Sequence, residues 1–395
     1  MNDLASRLST LGLLSGLCLS LGCQWPQPST PPVSSGAVQV TEFRPHTSDG
    51  WSLELKRFRL KDGPVLSDPE RLPVILCHGR TSNGRYWDLT ERLSFARYLA
   101  RRGYDVWVPS LRGCGSSTKP GFMVLREMLR LRLDNTNQFL NLPTIANPAK
   151  FNWTFDDYCF KDLPAIIDMV KAESHHDHVL WVGHSMGGMV MVPYLEHSGR
   201  DDVAGFIVLA SPVYMPQPPN DLYQLLVDHP RLFQLSTALL NNQLPSAMGA
   251  FTGHEIHASF FSNTANIDHD VLRQYLREVT EDTTTGVTAQ MLGMLRTGHL
   301  RSADEKTDYT AELNLIKTPI LFVSGKADNM AEPACLRYAY EHVTSTDKTY
   351  RELGLANGYS ADYGHNDIIL GKRSPDEVFP FLYEWLTKHD HPVTP

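Results

Sequence analysis

The sequence predicts an α/β fold: a mostly parallel central sheet flanked by helices, with an inserted helical cap. Three observations carry this. From residue 38 onward short β-rich runs alternate with helix-length segments, the pattern of a sheet built from strand–helix–strand units. Runs such as residues 73–77 (PVILC), 179–182 (VLWV) and 319–324 (PILFVS) are almost wholly apolar and read as buried strands. The alternation then stops over residues 211–315, which lack strand-like runs and are rich in helix formers.

Taken in order, residues 38–44 and 51–60 predict an opening antiparallel pair that turns at Ser48-Asp49-Gly50. The 73–77 strand follows. Residues 94–102 form a helix stopped by Gly103, and 104–109 (YDVWVP) the next strand. A long helix occupies 155–173, with Pro164 near its first turns. Strand 179–182 runs directly into Gly183-His184-Ser185-Met186-Gly187, then a helix over 188–196 and a strand over 203–210. Strands resume at 319–324 and near 350–353, and a helix over 375–388 closes the chain. The domain plan is a leader (1–23), a Pro/Ser-rich linker (24–37), a core in two pieces (38–213 and 315–389) and a helical cap (214–314). A second insertion, 119–150, follows Arg112-Gly113-Cys114-Gly115-Ser116-Ser117. Long connections at the mouth of a sheet are commonly lids or binding elements. Residues 124–142 place Leu125, Met128, Leu129 and Leu133 beside Arg126, Arg130 and Arg132, the spacing of a cap helix on the core or of an interfacial lid.

The chain has 395 residues, enough for one large α/β domain carrying an insertion. A formal net charge of −8 argues against a nucleic-acid partner, which requires clustered positive charge. The six cysteines form no C-x-x-C pair and no zinc-finger spacing with histidine. Cys77 reads as a buried thiol; pairing among the four cysteines beyond the leader is left open. Residues 8–22 are apolar and small, follow Arg7, and lead into Cys23 and a proline-rich tether. That arrangement resembles a bacterial lipoprotein signal, with export and a lipid on Cys23 as the expectation and a membrane anchor as its consequence. The alternative is an N-terminal extension on a cytoplasmic protein.

A glycine–x–serine–x–glycine run between strand and helix puts a serine at the tip of a sharp turn, clear of the sheet. Ser185 is therefore the candidate nucleophile. Gly183 and Gly187 are required where side chains would collide with backbone. A serine hydroxyl needs a base. Among 16 histidines, His365 falls after the last strand run and before the closing helix, at the same sheet edge. His184, beside the serine, is expected to point elsewhere. The base needs a carboxylate partner: Asp328, just beyond the 319–324 strand, is the candidate, with Asp362 and Asp367 as rivals. The oxyanion donors are the Met186 and Arg80 amides, with Gly79 allowing close backbone approach. His78 reads as a structural hydrogen-bonding residue, with a second general base as the alternative. His175, His176 and His178 read as a solvated turn rather than a metal cluster.

These residues resemble the α/β-hydrolase superfamily, and more narrowly its acid-lipase-like branch. The matching stretches are Cys77-His78-Gly79, Gly103-Tyr104-Asp105-Val106-Trp107, Arg112-Gly113, Phe155-Asp156-Asp157, Asp162-Leu163-Pro164-Ala165-Ile166-Ile167-Asp168, Val182-Gly183-His184-Ser185-Met186-Gly187 and Tyr363-Gly364-His365-Asn366-Asp367. The resemblance implies hydrolysis of acylglycerols or steryl esters without a cofactor. Met186 stands where that branch generally has Gln, and Pro109 to Gly115 looks more like generic esterases and monoacylglycerol lipases. The expected function is a serine esterase or lipase acting on small-molecule ester or lipid substrates. Thioesterase, peptidase and acyltransferase chemistry use the same triad, and a non-catalytic binding protein on this scaffold is the reading from another class.

Overall fold

The computed structural model describes residues 36–61, 70–119, 152–216, 224–225, 228–229 and 262–391. The expected leader, the linker up to residue 35, the Cys23 anchor and the 124–142 helix lie outside the described residues.

Among the described residues eight strands form one sheet: β1 (Val38–Phe43), β2 (Glu54–Leu60), β3 (Val74–Cys77), β4 (Val106–Ser110), β5 (Val179–His184), β6 (Val203–Leu209), β7 (Ile320–Gly325) and β8 (Lys348–Leu353). Their spatial order is β1-β2-β4-β3-β5-β6-β7-β8. β1 pairs antiparallel with β2 and β2 with β4, and every later pairing is parallel. The hairpin turns at Gly50, whose φ of +82° suits glycine. β3, β5 and β7 are buried along their whole length, as strands covered on both faces must be. The edge strand β1 is mostly exposed, and it carries polar residues that discourage further strand pairing.

Alternate side chains of the central strands enter two separate cores. Ile75, Trp107, Trp181, Val208 and Phe322 pack on one face with Leu163, Ile166, Val170 and Tyr194. Val74, Leu76, Val182, Ile207 and Val323 pack on the other with Phe95, Leu99, Phe379 and Leu382. Each helix is thus held by its apolar stripe against the pleat.

Local boundaries differ from expectation for physical reasons. Helix 94–102 is seen as Phe95–Ala100, because Ser94 caps it by accepting from the Arg97 amide. The long helix over 155–173 is not regular: a widened turn, Tyr158–Asp162, precedes Leu163–Ser174, and the Leu163 amide donates to Tyr158. Pro164 offers no amide to Phe160, so the regular ladder is interrupted there. His175 ends the helix with φ +60°, in the left-handed cap position, and His176 turns back onto the Ser174 carbonyl. The closing helix begins at Phe379, after a separate turn Ser374–Glu377. Between β6 and β7 stand the helices His269–Glu278 and Thr285–Thr297.

The widened turn aims Asp162 at Arg112. The Arg112 backbone amide and Nε donate to Asp162 at 2.9 and 2.7 Å, and its Nη1 and Nη2 donate to Asp49 at 2.8 and 3.1 Å. Arg112 is buried, and Trp51 lies under its guanidinium. This fork joins the first hairpin, the loop after β4 and the long helix. Cys77, Cys114, Cys159 and Cys335 are buried free thiols.

Glu196 is a buried carboxyl whose oxygens have no hydrogen-bond partner among the described residues. His197 Nε2 stands 3.9 Å away and is engaged by Glu312 at 2.9 Å. Burial first, then the charges of Glu312 and Asp308, pushes Glu196 up to about 9. Its ordinary value is 4.5, so the unfolded chain releases the proton well before the folded one. The contribution of this carboxyl to stability is therefore fully present below pH 4.5 and is lost as pH rises through the folded value of about 9. Glu196→Gln should stabilise the fold by about 1–3 kcal/mol at pH 8 and by little near pH 4. Denaturant titrations at both pH values check this; a pH-independent difference would contradict it.

Candidate active site

β5 ends at His184, and Ser185 then turns with φ 54° and ψ −122°, a conformation costing a non-glycine residue on the order of 1–3 kcal/mol. Surrounding bonds hold it there. The Ser185 amide donates to Leu209 at 2.8 Å, and its carbonyl accepts from Gly188 and Met189 at 3.0 and 3.1 Å. Trp181 Nε1 donates to the Gly187 carbonyl at 2.9 Å. A methyl on Gly183 would overlap the Gly187 carbonyl, and one on Gly187 would overlap the Cys77 and His78 carbonyls. The Met186 amide opens the next helix, Met186–Met189, so it belongs to the amides a helix start leaves without an intrahelical acceptor.

β3 delivers the neighbouring loop. A Cβ on Gly79 would stand 3.0 Å from Ser185 Cβ, so only glycine lets the Gly79-Arg80 backbone approach the serine without displacing it. Thr81 follows with φ +55°. Both ring nitrogens of His78 are occupied by backbone: Nδ1 meets the Gly79 carbonyl at 2.8 Å and Nε2 accepts from Leu111 at 3.1 Å. Burial lowers His78 to about 4. It is a neutral brace in a dry position, unsuited to act as a base.

Asp328 lies just past β7 and His365 in the loop past β8. His365 Nδ1 meets Asp328 Oδ2 at 2.9 Å, and Asp328 Oδ1 accepts from the Met330 and Ala331 amides at 2.8 Å each. Both residues are buried. The carboxylate puts the imidazole proton on Nδ1 and leaves Nε2 as the basic nitrogen. The two rival carboxylates are used elsewhere. Asp362 accepts from the Leu355 amide. Asp367 is buried and accepts from the Gly364 and Asn263 amides and from Asn266 Nδ2, fixing the loop that carries His365.

His184 has partners that its place in the elbow does not reveal. Its ring is buried, stacks on Tyr86 with centroids 4.6 Å apart, and lies 4.8 Å from the His365 ring. Its Nε2 donates to the His365 carbonyl at 2.9 Å. Burial holds it well below its ordinary value, so it remains a neutral donor. The elbow and the histidine loop are therefore joined directly. Sequence reasoning missed this because the alternation of a strand sends His184 to the opposite face from Ser185, while the loop that meets it there is remote in the chain. Among the described residues no cluster of three or more His, Cys, Asp or Glu side chains is arranged for a metal ion, and no helix is long and apolar enough to cross a membrane.

The elbow's steric limits give a contrast. Gly183→Ala should destabilise the fold by about 2–4 kcal/mol, because the obstructing atom is backbone. Gly293→Ala, a helical position with nothing within 4 Å among the described residues, should stabilise by about 0.5–1 kcal/mol. Thermal melts of both variants decide; equal effects would contradict the packing described.

Residues 73–346 match the family described as alpha/beta hydrolase fold. Triacylglycerol lipase 1 of Arabidopsis thaliana is 24% identical over 373 residues, covering 87% of this chain and 86% of its own. Triacylglycerol lipase 2 of the same plant is 27% identical over 170 residues, 42% of this chain; the match spans 36% of that lipase, about a third of its length. The esterase EaEST from Exiguobacterium antarcticum superposes with a TM-score of 0.53 at 15% identity, covering 88% of this chain and 100% of its own, a likeness of fold. With the family match running from β3 through the helix before β8, the chain belongs to the α/β-hydrolase fold family.

Proposed function

We propose that the chain is a serine hydrolase of carboxylic esters, with lipid or other apolar esters as substrates. The observation that supports this most is the strained Ser185 turn standing at the same sheet edge as the buried Asp328–His365 pair. In this reading Ser185 Oγ attacks the ester carbonyl while His365 Nε2 takes its proton, and Asp328 stabilises the imidazolium. The Met186 and Arg80 amides hold the oxyanion. The alcohol leaves with the proton from His365, and water deacylates the enzyme by the reverse path. The preference for apolar esters is supported by the two plant relatives named as triacylglycerol lipases. The support for export and a lipid on Cys23 is the sequence alone; radiolabelled palmitate on the parent chain, lost in Cys23→Ala, tests it.

Ser185→Ala should abolish ester hydrolysis. Asp328→Asn should lower kcat by about 10³–10⁴-fold, because the imidazole loses its orienting carboxylate. Steady-state kinetics on p-nitrophenyl esters of increasing chain length, triacylglycerols, steryl esters and peptides check the triad and the substrate class together. Retained activity in Asp328→Asn would refute the choice of acid, and cleavage of peptides in preference to esters would refute the substrate class.

A further inference from the structure

The loop after β3 is strained at Thr81, one residue beyond the amide assigned to the oxyanion, so rotation about Thr81 would re-aim that amide. What restrains it comes from the segment after the helix His269–Glu278. The Glu281 amide donates to the Thr81 carbonyl at 2.9 Å. Asn83 Nδ2 donates to the Glu278 carbonyl at 3.0 Å and to Glu281 Oε1 at 2.9 Å. The same Oε1 accepts from the Gly115 amide at 2.8 Å, and Oε2 accepts from Lys119 Nζ at 2.7 Å. The Glu281 side chain is buried. One carboxylate thus ties together the loop after β3, the loop after β4 and the segment that follows the helix.

The helix is anchored again further along. Arg85 Nη2 donates to Glu278 at 2.9 Å, and the Tyr275 ring stands edge-on to Tyr86 with centroids 6.4 Å apart. Just before the helix, Asn263 and Asn266 hold Asp367. The stretch therefore grips the oxyanion loop at one end and the histidine loop at the other. A carboxylate that were merely buried would need donors only to be satisfied; here the donors come from the loops after β3 and β4, through Asn83 Nδ2 and the Gly115 amide, and from Lys119.

We propose that Glu281 is a positioning residue for ester hydrolysis, acting through Thr81 and Asn83 to hold the Arg80 amide in its oxyanion-binding orientation. This rests on the serine-hydrolase reading above. Its action should appear in the transition state rather than in substrate binding.

The test compares Glu281→Ala, Glu281→Gln and Asn83→Ala on one p-nitrophenyl ester, with affinity for an alkyl trifluoromethyl ketone, whose serine adduct carries the oxyanion. Glu281→Ala should lower kcat by about 10²-fold with KM within about 3-fold. Ketone affinity should fall by the same factor as kcat. Glu281→Gln, which keeps the Oε1 acceptor, should recover most of both. Asn83→Ala should lower both, and its combination with Glu281→Ala should be no worse than the more severe single change. If Glu281→Ala does not fold, Asn83→Ala carries the same comparison. Unchanged kcat in the folded variants, or a fall in kcat without loss of ketone affinity, would overturn the proposal. Failure of the underlying reading looks different, since the parent itself would then neither hydrolyse the ester nor bind the ketone.

Discussion

The backbone of Ser185 sits where an L-residue is disfavoured, and much of the surrounding structure exists to keep it there. Reaching φ 54° requires a strand to end abruptly and a helix to begin in its place. That reversal brings the Gly183 and Gly187 backbones together and pushes Gly187 onto the carbonyls at the end of β3. No side chain fits in either gap. The bonds from Leu209, Trp181 and the first helical amides lock the reversal from three directions. Because β3, β5 and β6 run parallel and in register at this edge, with Cys77 opposite Gly183 and Gly183 opposite Val208, the turn has walls on both sides. The same parallel arrangement delivers the Gly79 turn, Asp328 and the His365 loop to that edge.

The loops that carry the candidate site are cross-linked rather than merely adjacent. His184 donates to the backbone of His365, Asp367 gathers the histidine loop onto Asn263 and Asn266, and Asp328 is oriented by two backbone amides before it meets the imidazole. A positioned group contributes to catalysis only while its geometry is held within a fraction of an ångström. Polar contacts between loops that are remote in sequence supply that precision where the sheet alone does not. Part of the inserted region takes part in this frame: the helix His269–Glu278 and its flanks are bonded to both loops.

Much of this was legible in the chain. Buried parallel strands announce themselves as short apolar runs, and the glycine–x–serine–x–glycine run between strand and helix carries its own steric explanation. Asp328 and His365 were legible because a strand end and a following loop predict where a side chain emerges. The contacts that depend on two loops meeting were not. Nothing local marks Glu281 as a buried clamp, since its partners Asn83, Gly115 and Lys119 come from other segments. Arg112 and Asp162 were visible as matching stretches, but their pairing depends on the widened turn before Pro164, which no periodicity announces. His184 is the residue before the serine in the elbow, a place that turns its ring away from the serine without saying what stacks on it.

In the proposed serine-hydrolase mechanism, Ser185 is a nucleophile made reactive by its place in this frame. The most direct measurement is peptide-level mass spectrometry of the folded protein after treatment with a fluorophosphonate. One adduct is expected, on Ser185, and none after prior heat unfolding, because the base and the oxyanion donors are then no longer held beside the hydroxyl. A folded protein that stays unmodified at Ser185, or that carries the adduct on another serine, would contradict it.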